Sequence, residues 1–200
     1  TQERQVGIVA GWSAPIHMVT GRPLLSEGYR TWAGCFLREG SWTLESSAGD
    51  AGNSYRWLAD TLWGAGGDAF AEMDELAAAP TGSEGALAFL GPSRMDMDNL
   101  GLRQGGLFFP VPMTMTEINR GHLARAALEG MAYAITANLE QLEAVAGETA
   151  VDIGLGGGMI QTSTFPKVLV DVLGRQVRVS PTPHVSALGA YLCAATALGE

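Results

Sequence analysis

The sequence predicts a mixed α/β domain, and three observations predict it. The first third is a series of short apolar, β-branched or aromatic runs separated by glycine turns. The middle switches to apolar residues spaced three and four apart, the period of a helix. The last third alternates strand, helix, strand, helix with short links, an order that argues for a βαβα unit with a parallel strand pair.

Val6-Gly7-Ile8-Val9-Ala10 reads as a buried strand, Gly11-Trp12-Ser13-Ala14-Pro15 as a turn and Ile16 to Thr20 as the returning strand. The tip of this hairpin offers backbone N–H groups and the Ser13 hydroxyl, which suit a phosphate; an ordinary hairpin tip needs a glycine as well. Arg30 to Leu37 and Ser41 to Glu45 form two further strands around Arg38-Glu39-Gly40, with Trp32 and Trp42 as core or sheet-face aromatics. Tyr55, Leu58, Leu62 and Trp63 mark one face of a helix from Asp50, stopped by Gly64 to Gly67. Asp68 is placed to cap a second helix, which carries Phe70, Met73 and Leu76.

Gly85 to Gly91 reads as a strand. Pro92 to Phe109 is glycine-rich and unperiodic, a loop long enough to invite a function, with Arg94, Asp96, Asp98 and Arg103 expected to be solvated. Thr114-Met115-Thr116-Glu117 has the spacing of a capping box. The long helix expected after it carries the stripe Ala124, Leu128, Met131, Ile135, Leu139 and Leu142, and small residues at Ala126, Ala127 and Gly130 imply burial on more than one side. Arg125 and Glu129, one turn apart, are expected to pair across its surface.

Val151 to Leu155 is another strand, followed by Gly156-Gly157-Gly158, Met159-Ile160-Gln161 and a helix from Ser163 to Leu173 ended by Gly174. Three glycines leave no Cβ in the way, so a ligand can lie against the backbone and meet N–H groups of the turn that follows. A tight turn without a ligand makes the same demand. Gln176 to Val179 is a short strand, Pro181-Thr182-Pro183 a rigid turn, and Ser186 to Leu198 a small-residue closing helix.

Composition removes several classes. With 12 basic against 21 acidic residues and a net charge of −9, the chain is unsuited to nucleic acid or to an anionic membrane surface. It lacks an apolar run of 18 residues, and its first five residues hold no hydrophobic signal core. Cys35 and Cys193, each flanked by apolar residues, read as buried free thiols in a reducing compartment. His17, His122 and His184 are scattered, so no metal site is predicted.

Six motifs taken together resemble one family. Gly11-Trp12-Ser13-Ala14, Ala51-Gly52-Asn53 with Trp57-Leu58, Arg125-Ala126-Ala127-Leu128-Glu129-Gly130, Gly156-Gly157-Gly158, Asp171-Val172-Leu173-Gly174 and Ala187-Leu188-Gly189-Ala190 stand in the order and approximate spacing of the carboxy-terminal domain of FGGY carbohydrate kinases, over nearly the whole chain. The resemblance implies a single ribonuclease-H-like, actin-like ATPase domain spanning residues 1–200, with a mixed sheet and flanking helices. It further implies a cytoplasmic enzyme that transfers the γ-phosphate of ATP, with Mg²⁺, to a sugar or polyol hydroxyl.

Carried over by position, Gly156, Gly157, Gly158 and the adjoining Met159 resemble the adenosine-binding segment, and Gly11, Trp12 and Ser13 resemble the family's Gly-Thr-Ser phosphate turn. Trp12 stands in place of the usual threonine and His184 where an acidic residue is frequent. Family members carry a preceding domain that holds most of the sugar site and a catalytic aspartate shortly before the phosphate turn. Here ten residues precede Gly11 and none is Asp, so the general base and the sugar-binding domain are expected outside this chain. The residues that choose the sugar would lie mostly there too. Pentulose, hexulose and polyol stay open, with a pentulose such as xylulose or ribulose favoured. The chain alone is expected to be inactive, and its separated apolar face to favour a homodimer. A stand-alone nucleotide- or partner-binding domain and a purely structural domain are the ranked alternatives.

Overall fold

Alternating burial along the first strands fixes the architecture. In the computed structural model, which describes residues 3–64, 69–99 and 104–199, β1 (Gln5–Val9) buries Val6 and Ile8, and β2 (Pro15–Thr20) buries Ile16 and Met18. The residues between them are at least partly exposed, so each strand gives one face to the core. β3 (Trp32–Cys35) and β4 (Trp42–Ser47) extend the antiparallel part. β7 (Asp152–Gly156) then runs parallel to β1, with Gly7 opposite Gly154, and β8 (Arg178–Val179) runs parallel to β7. The sheet order is β3-β4-β2-β1-β7-β8, and the predicted βαβα unit occupies its right-hand end.

The core lies on one side of this sheet, formed by Leu44, Ile153 and Leu155 with helices α1 (Ala51–Trp63), α2 (Ala69–Leu76), α3 (Arg120–Ala146) and α4 (Phe165–Leu173). The whole predicted α3 stripe is buried, as are Ala126 and Ala127. Buried Asn138 of α3 binds three segments at once: its Oδ1 accepts from the Ser46 hydroxyl and Met95 N–H, while its Nδ2 donates to the Ser93 and Ala134 carbonyls. Every polar atom of that amide is used, which makes its burial tolerable.

Several expectations change. The Thr114 to Glu117 segment does not start α3; residues Met113–Met115 form a short 3₁₀ turn and Thr116 is extended. The cap is Asn119, whose side chain accepts from the N–H groups of Gly121 and His122, while His122 Nδ1 accepts from Asn119 N–H. The stretch from Pro92 to Phe109 is not wholly loop, because β6 (Gly106–Phe108) pairs antiparallel with β5 (Leu87–Phe89). Asp68 and Arg103 fall outside the described residues. Arg94 is exposed as expected.

Arg125 and Glu129 do not pair on the surface: both are buried, 2.8 Å apart. Glu129 also accepts from Gly82 N–H and the Ser83 hydroxyl, and Arg125 donates to Thr81. Gly82, Ser83, Glu84 and Gly85 all have φ between 51° and 84°, so this carboxylate holds a left-handed run of backbone. Cys35 and Cys193 are exposed, not buried, because β3 is the sheet edge and α5 (Val185–Leu198) buries none of its residues. No described helix is long and apolar enough to cross a membrane.

Candidate functional site

Two turns meet where β1 and β7 end side by side. Past β1, Gly11 N–H bonds to the Ser13 carbonyl at 2.9 Å and closes a tight turn. The first turn of α1 docks onto it: Gly52 N–H donates to the Gly11 carbonyl at 2.9 Å and Asn53 N–H to the Trp12 carbonyl at 3.3 Å. A side chain at position 52 would run into the Gly11 carbonyl, which is why the helix begins Ala51-Gly52-Asn53. With its carbonyls turned toward α1, the turn presents its other groups outward. Among the described residues, the Trp12 and Ser13 N–H groups and the exposed Ser13 hydroxyl meet no protein acceptor.

Past β7, the three predicted glycines separate into three jobs. A Cβ on Gly156 would strike the Val185 side chain at the start of α5. Gly157 has φ +96°, and a Cβ there would overlap the Ala10 backbone. Gly158 has nothing within 4 Å of where its Cβ would stand. The turn is clipped to β1 by Ala10 N–H to the Gly156 carbonyl at 2.8 Å and Met159 N–H to the Ala10 carbonyl at 2.9 Å.

Between the two turns and the second helix lies a cleft of about 860 Å³. The structure brings Gly11, Trp12, Gly158 and Met159 of the predicted residues to its walls and puts Ser13 next to them; Gly156 and Gly157 stand behind the wall. The triple glycine of the sequence implies three residues against a ligand; in the structure only Gly158 is open to one.

The remaining walls were not singled out as site residues. Phe70, Ala71 and Asp74 come from α2, Asn53 and Arg56 from α1, and Pro183 with His184 from the turn before α5. The helical period predicted α2 but gave no reason to aim its Phe70 side at a ligand; only the quoted Ala51-Gly52-Asn53 motif pointed here.

The electrostatics divide the cleft. Arg56 is half-exposed and shared with Asp60 one turn on, at 3.2 Å. Asp74 Oδ2 accepts from Ser163 N–H at 2.8 Å and so ties α2 to the loop before α4, while its Oδ1 is buried without a hydrogen-bond partner. The Tyr55 hydroxyl is likewise buried and unpartnered; burial first, and then the Asp74 carboxylate, push its ionisation far above the ordinary phenol range. It is therefore a neutral core group packed edge-on behind Phe70, and not a base. One end of the cleft thus offers unpaired N–H donors suited to anionic oxygens, and the other offers Phe70, Met159 and a bare Gly158, which suit a flat ring. No group of His, Cys, Asp and Glu among the described residues is arranged to hold a metal ion.

Comparison with known proteins follows the same outline. The model of the FGGY family of carbohydrate kinases, C-terminal domain, matches residues 8–198. A Bacillus subtilis (strain 168) protein named as a sugar kinase, YoaC, is 27% identical over 185 residues, 92% of this chain and 37% of its own length. The glycerol kinase of Renibacterium salmoninarum is 32% identical over 158 residues, 79% of this chain and 30% of its own length. Among solved structures, xylulose kinase from Rhodospirillum rubrum superposes with a TM-score of 0.74 at 22% identity, over 95% of this chain and 39% of its own. Plasmodium falciparum glycerol kinase with ADP gives a TM-score of 0.75 at 19% identity, over 97% of this chain and 38% of its own. The chain therefore spans well under half the length of these relatives.

Proposed function

The chain belongs to the FGGY family of carbohydrate kinases as its C-terminal domain, with the actin-like ATPase fold, and we propose that it is the nucleotide half of an ATP-dependent sugar or polyol kinase. The observation that carries the reading is the pairing of two turns across one cleft: unpaired N–H groups and a hydroxyl at Trp12 and Ser13, and a Cβ-free Gly158 beside Phe70 and Met159. These residues fit a nucleotide. The Gly11–Ser13 turn would donate to phosphate oxygens, and the bare backbone at Gly158 would let adenosine lie flat on the wall. When bound, the nucleotide supplies the phosphoryl group that is transferred.

What this chain contributes is positioning and charge. Phosphoryl transfer depends chiefly on both. The α1 first turn takes the Gly11 and Trp12 carbonyls and so fixes the turn at the edge of the cleft, its Trp12 and Ser13 N–H groups unpaired, before any ligand arrives. Mg²⁺, for which no described cluster exists, would enter on the phosphates. The cleft's own carboxylate, Asp74, is fixed through Oδ2 by Ser163 N–H as a link between α2 and the loop before α4, with its Oδ1 buried away from the cleft opening. We therefore place the general base and the acceptor site in polypeptide beyond these residues and expect the 200-residue chain alone to be inactive. A pentulose is the acceptor we favour, and the relatives, which include xylulose, gluconate and glycerol kinases, keep hexonates and polyols beside it.

The test is nucleotide titration by calorimetry or NMR. Gly158→Val should weaken ADP binding at least tenfold, about 1.4 kcal/mol, with an unchanged melting transition, because its Cβ enters open space. Unaltered affinity in that variant, or no saturable binding by the parent at millimolar ADP, would refute the reading.

A further inference from the structure

A second groove, of about 440 Å³, runs between α3 and α4 and shares no residue with the nucleotide cleft. At one end stands the Arg125–Glu129 pair. Glu129 is fully engaged: Oε1 accepts from Arg125 and from Gly82 N–H, and Oε2 from the Ser83 hydroxyl. Arg125 is not. Its Nε and Nη2 donate to Glu129 and Thr81, whereas Nη1 has no partner among the described residues, on a side chain only 9% exposed that lines the groove. An unused N–H on a buried guanidinium calls for an acceptor oxygen.

Other donors stand beside it. Tyr133 is half-exposed, yet burial first and then the Glu129 carboxylate raise the ionisation of its phenol, with Arg125 opposing. Its hydroxyl end therefore sits in the field of the pair, as expected of a helical side chain that leans toward the N-terminus. The Thr136 hydroxyl, in the same wall, is buried without a partner.

The far end is acidic. Arg175 bonds Glu143 at 2.7 Å and clamps the C-terminal ends of α4 and α3 together. Asp171 and Glu140 stand one turn before that clamp, each on its own helix, and both line the groove. Neither carboxylate has a hydrogen bond or a cation among the described residues. Two carboxylates set across a gap repel one another until a positive charge enters.

These two ends define an occupant. One guanidinium against the carboxylates of Glu129, Glu140 and Asp171 leaves the lining with two net negative charges, so the occupant is cationic overall while offering an oxygen to Arg125. It is also extended, because the helical rise puts Glu140 roughly 16 Å beyond Glu129 along α3. A compact zwitterion would reach one end only.

We propose that this groove binds an amino acid with a cationic side chain, its α-carboxylate on Arg125 Nη1 and the Tyr133 hydroxyl and its side-chain cation between Glu140 and Asp171. The nucleotide reading plays no part in it. Calorimetry of the 200-residue chain with lysine should show one saturable site with Kd on the order of 0.1–1 mM. Norleucine, which lacks the side-chain cation, and cadaverine, which lacks the carboxylate, should each bind at least tenfold more weakly. Glu140→Gln and Asp171→Asn change exposed residues, so the fold is not at risk. Either should weaken lysine at least fivefold and leave norleucine unchanged, while Tyr133→Phe should weaken lysine and norleucine and leave cadaverine unchanged. No saturable lysine binding up to about 10 mM, cadaverine binding as tightly as lysine, or a lysine affinity indifferent to all three variants would each overturn the proposal.

Discussion

α3 and α5 are both rich in alanine and small residues, yet they sit at opposite extremes of this fold. Fifteen of the 27 residues of α3 are buried, including an arginine, a glutamate, a histidine and an asparagine. α5 has no charged side chain at all and buries nothing. Hydropathy ranks the two helices the wrong way round. What decides burial is whether a complementary partner exists: Glu129 finds Arg125, Gly82 and Ser83, and Asn138 finds four partners, while α5 has no buried residue. A helix apolar on every side implies a cover.

The sharpest way to break the contrast is to unbalance the charges in α3. Glu129→Ala leaves Arg125 buried and takes the acceptor from Gly82 and Ser83, whose left-handed loop it holds. The expected loss is about 3–5 kcal/mol in denaturant unfolding. A loss under ~1 kcal/mol would mean that water reaches the pair and that α3 is not the closed element described above.

Next in size is the glycine turn. Gly157→Ala puts a Cβ into the Ala10 backbone at φ +96°, so it should cost about 2–4 kcal/mol of stability. Gly158→Val should cost binding and little stability. Equal melting temperatures for the two variants would erase the division of labour assigned to the three glycines.

How much of this was legible in the sequence follows from range. β1, β2, β4 and β7 showed as β-branched runs, and the α3 stripe as a local period. The cap of α3 did not, because its box uses Asn119 and His122 where Ser or Thr with Glu is the familiar pattern. β6 is three residues long, and its only described partner is β5, from which a glycine-rich stretch separates it. Asn138 was invisible because its partners lie up to 92 residues away. At the site, motif spacing pointed to both turns but could not divide Gly157, which shapes the chain, from Gly158, which faces the cleft. The α2 wall had no local signal of any kind, since Phe70 and Asp74 differ from ordinary helical residues only in what they face.

The smallest expected effect tests α5 itself. Leu192 is 49% exposed and Leu188 44%, on a helix with no buried residue. If α5 is uncovered in this chain, replacing either by glutamine removes little buried surface, and unfolding should shift by no more than about 0.5 kcal/mol. A core leucine at comparable cost is not expected: Leu128→Ala, in the α3 stripe at 0% exposure, should lose about 2–5 kcal/mol. The measurement is a pair of denaturant curves for Leu192→Gln and Leu188→Gln against the parent at one protein concentration, low enough to keep the chain monomeric. If either glutamine costs more than about 2 kcal/mol, α5 is packed in solution and its apolar surface needs no outside partner. If both are neutral, the helix keeps apolar side chains that this chain does not use for its own stability.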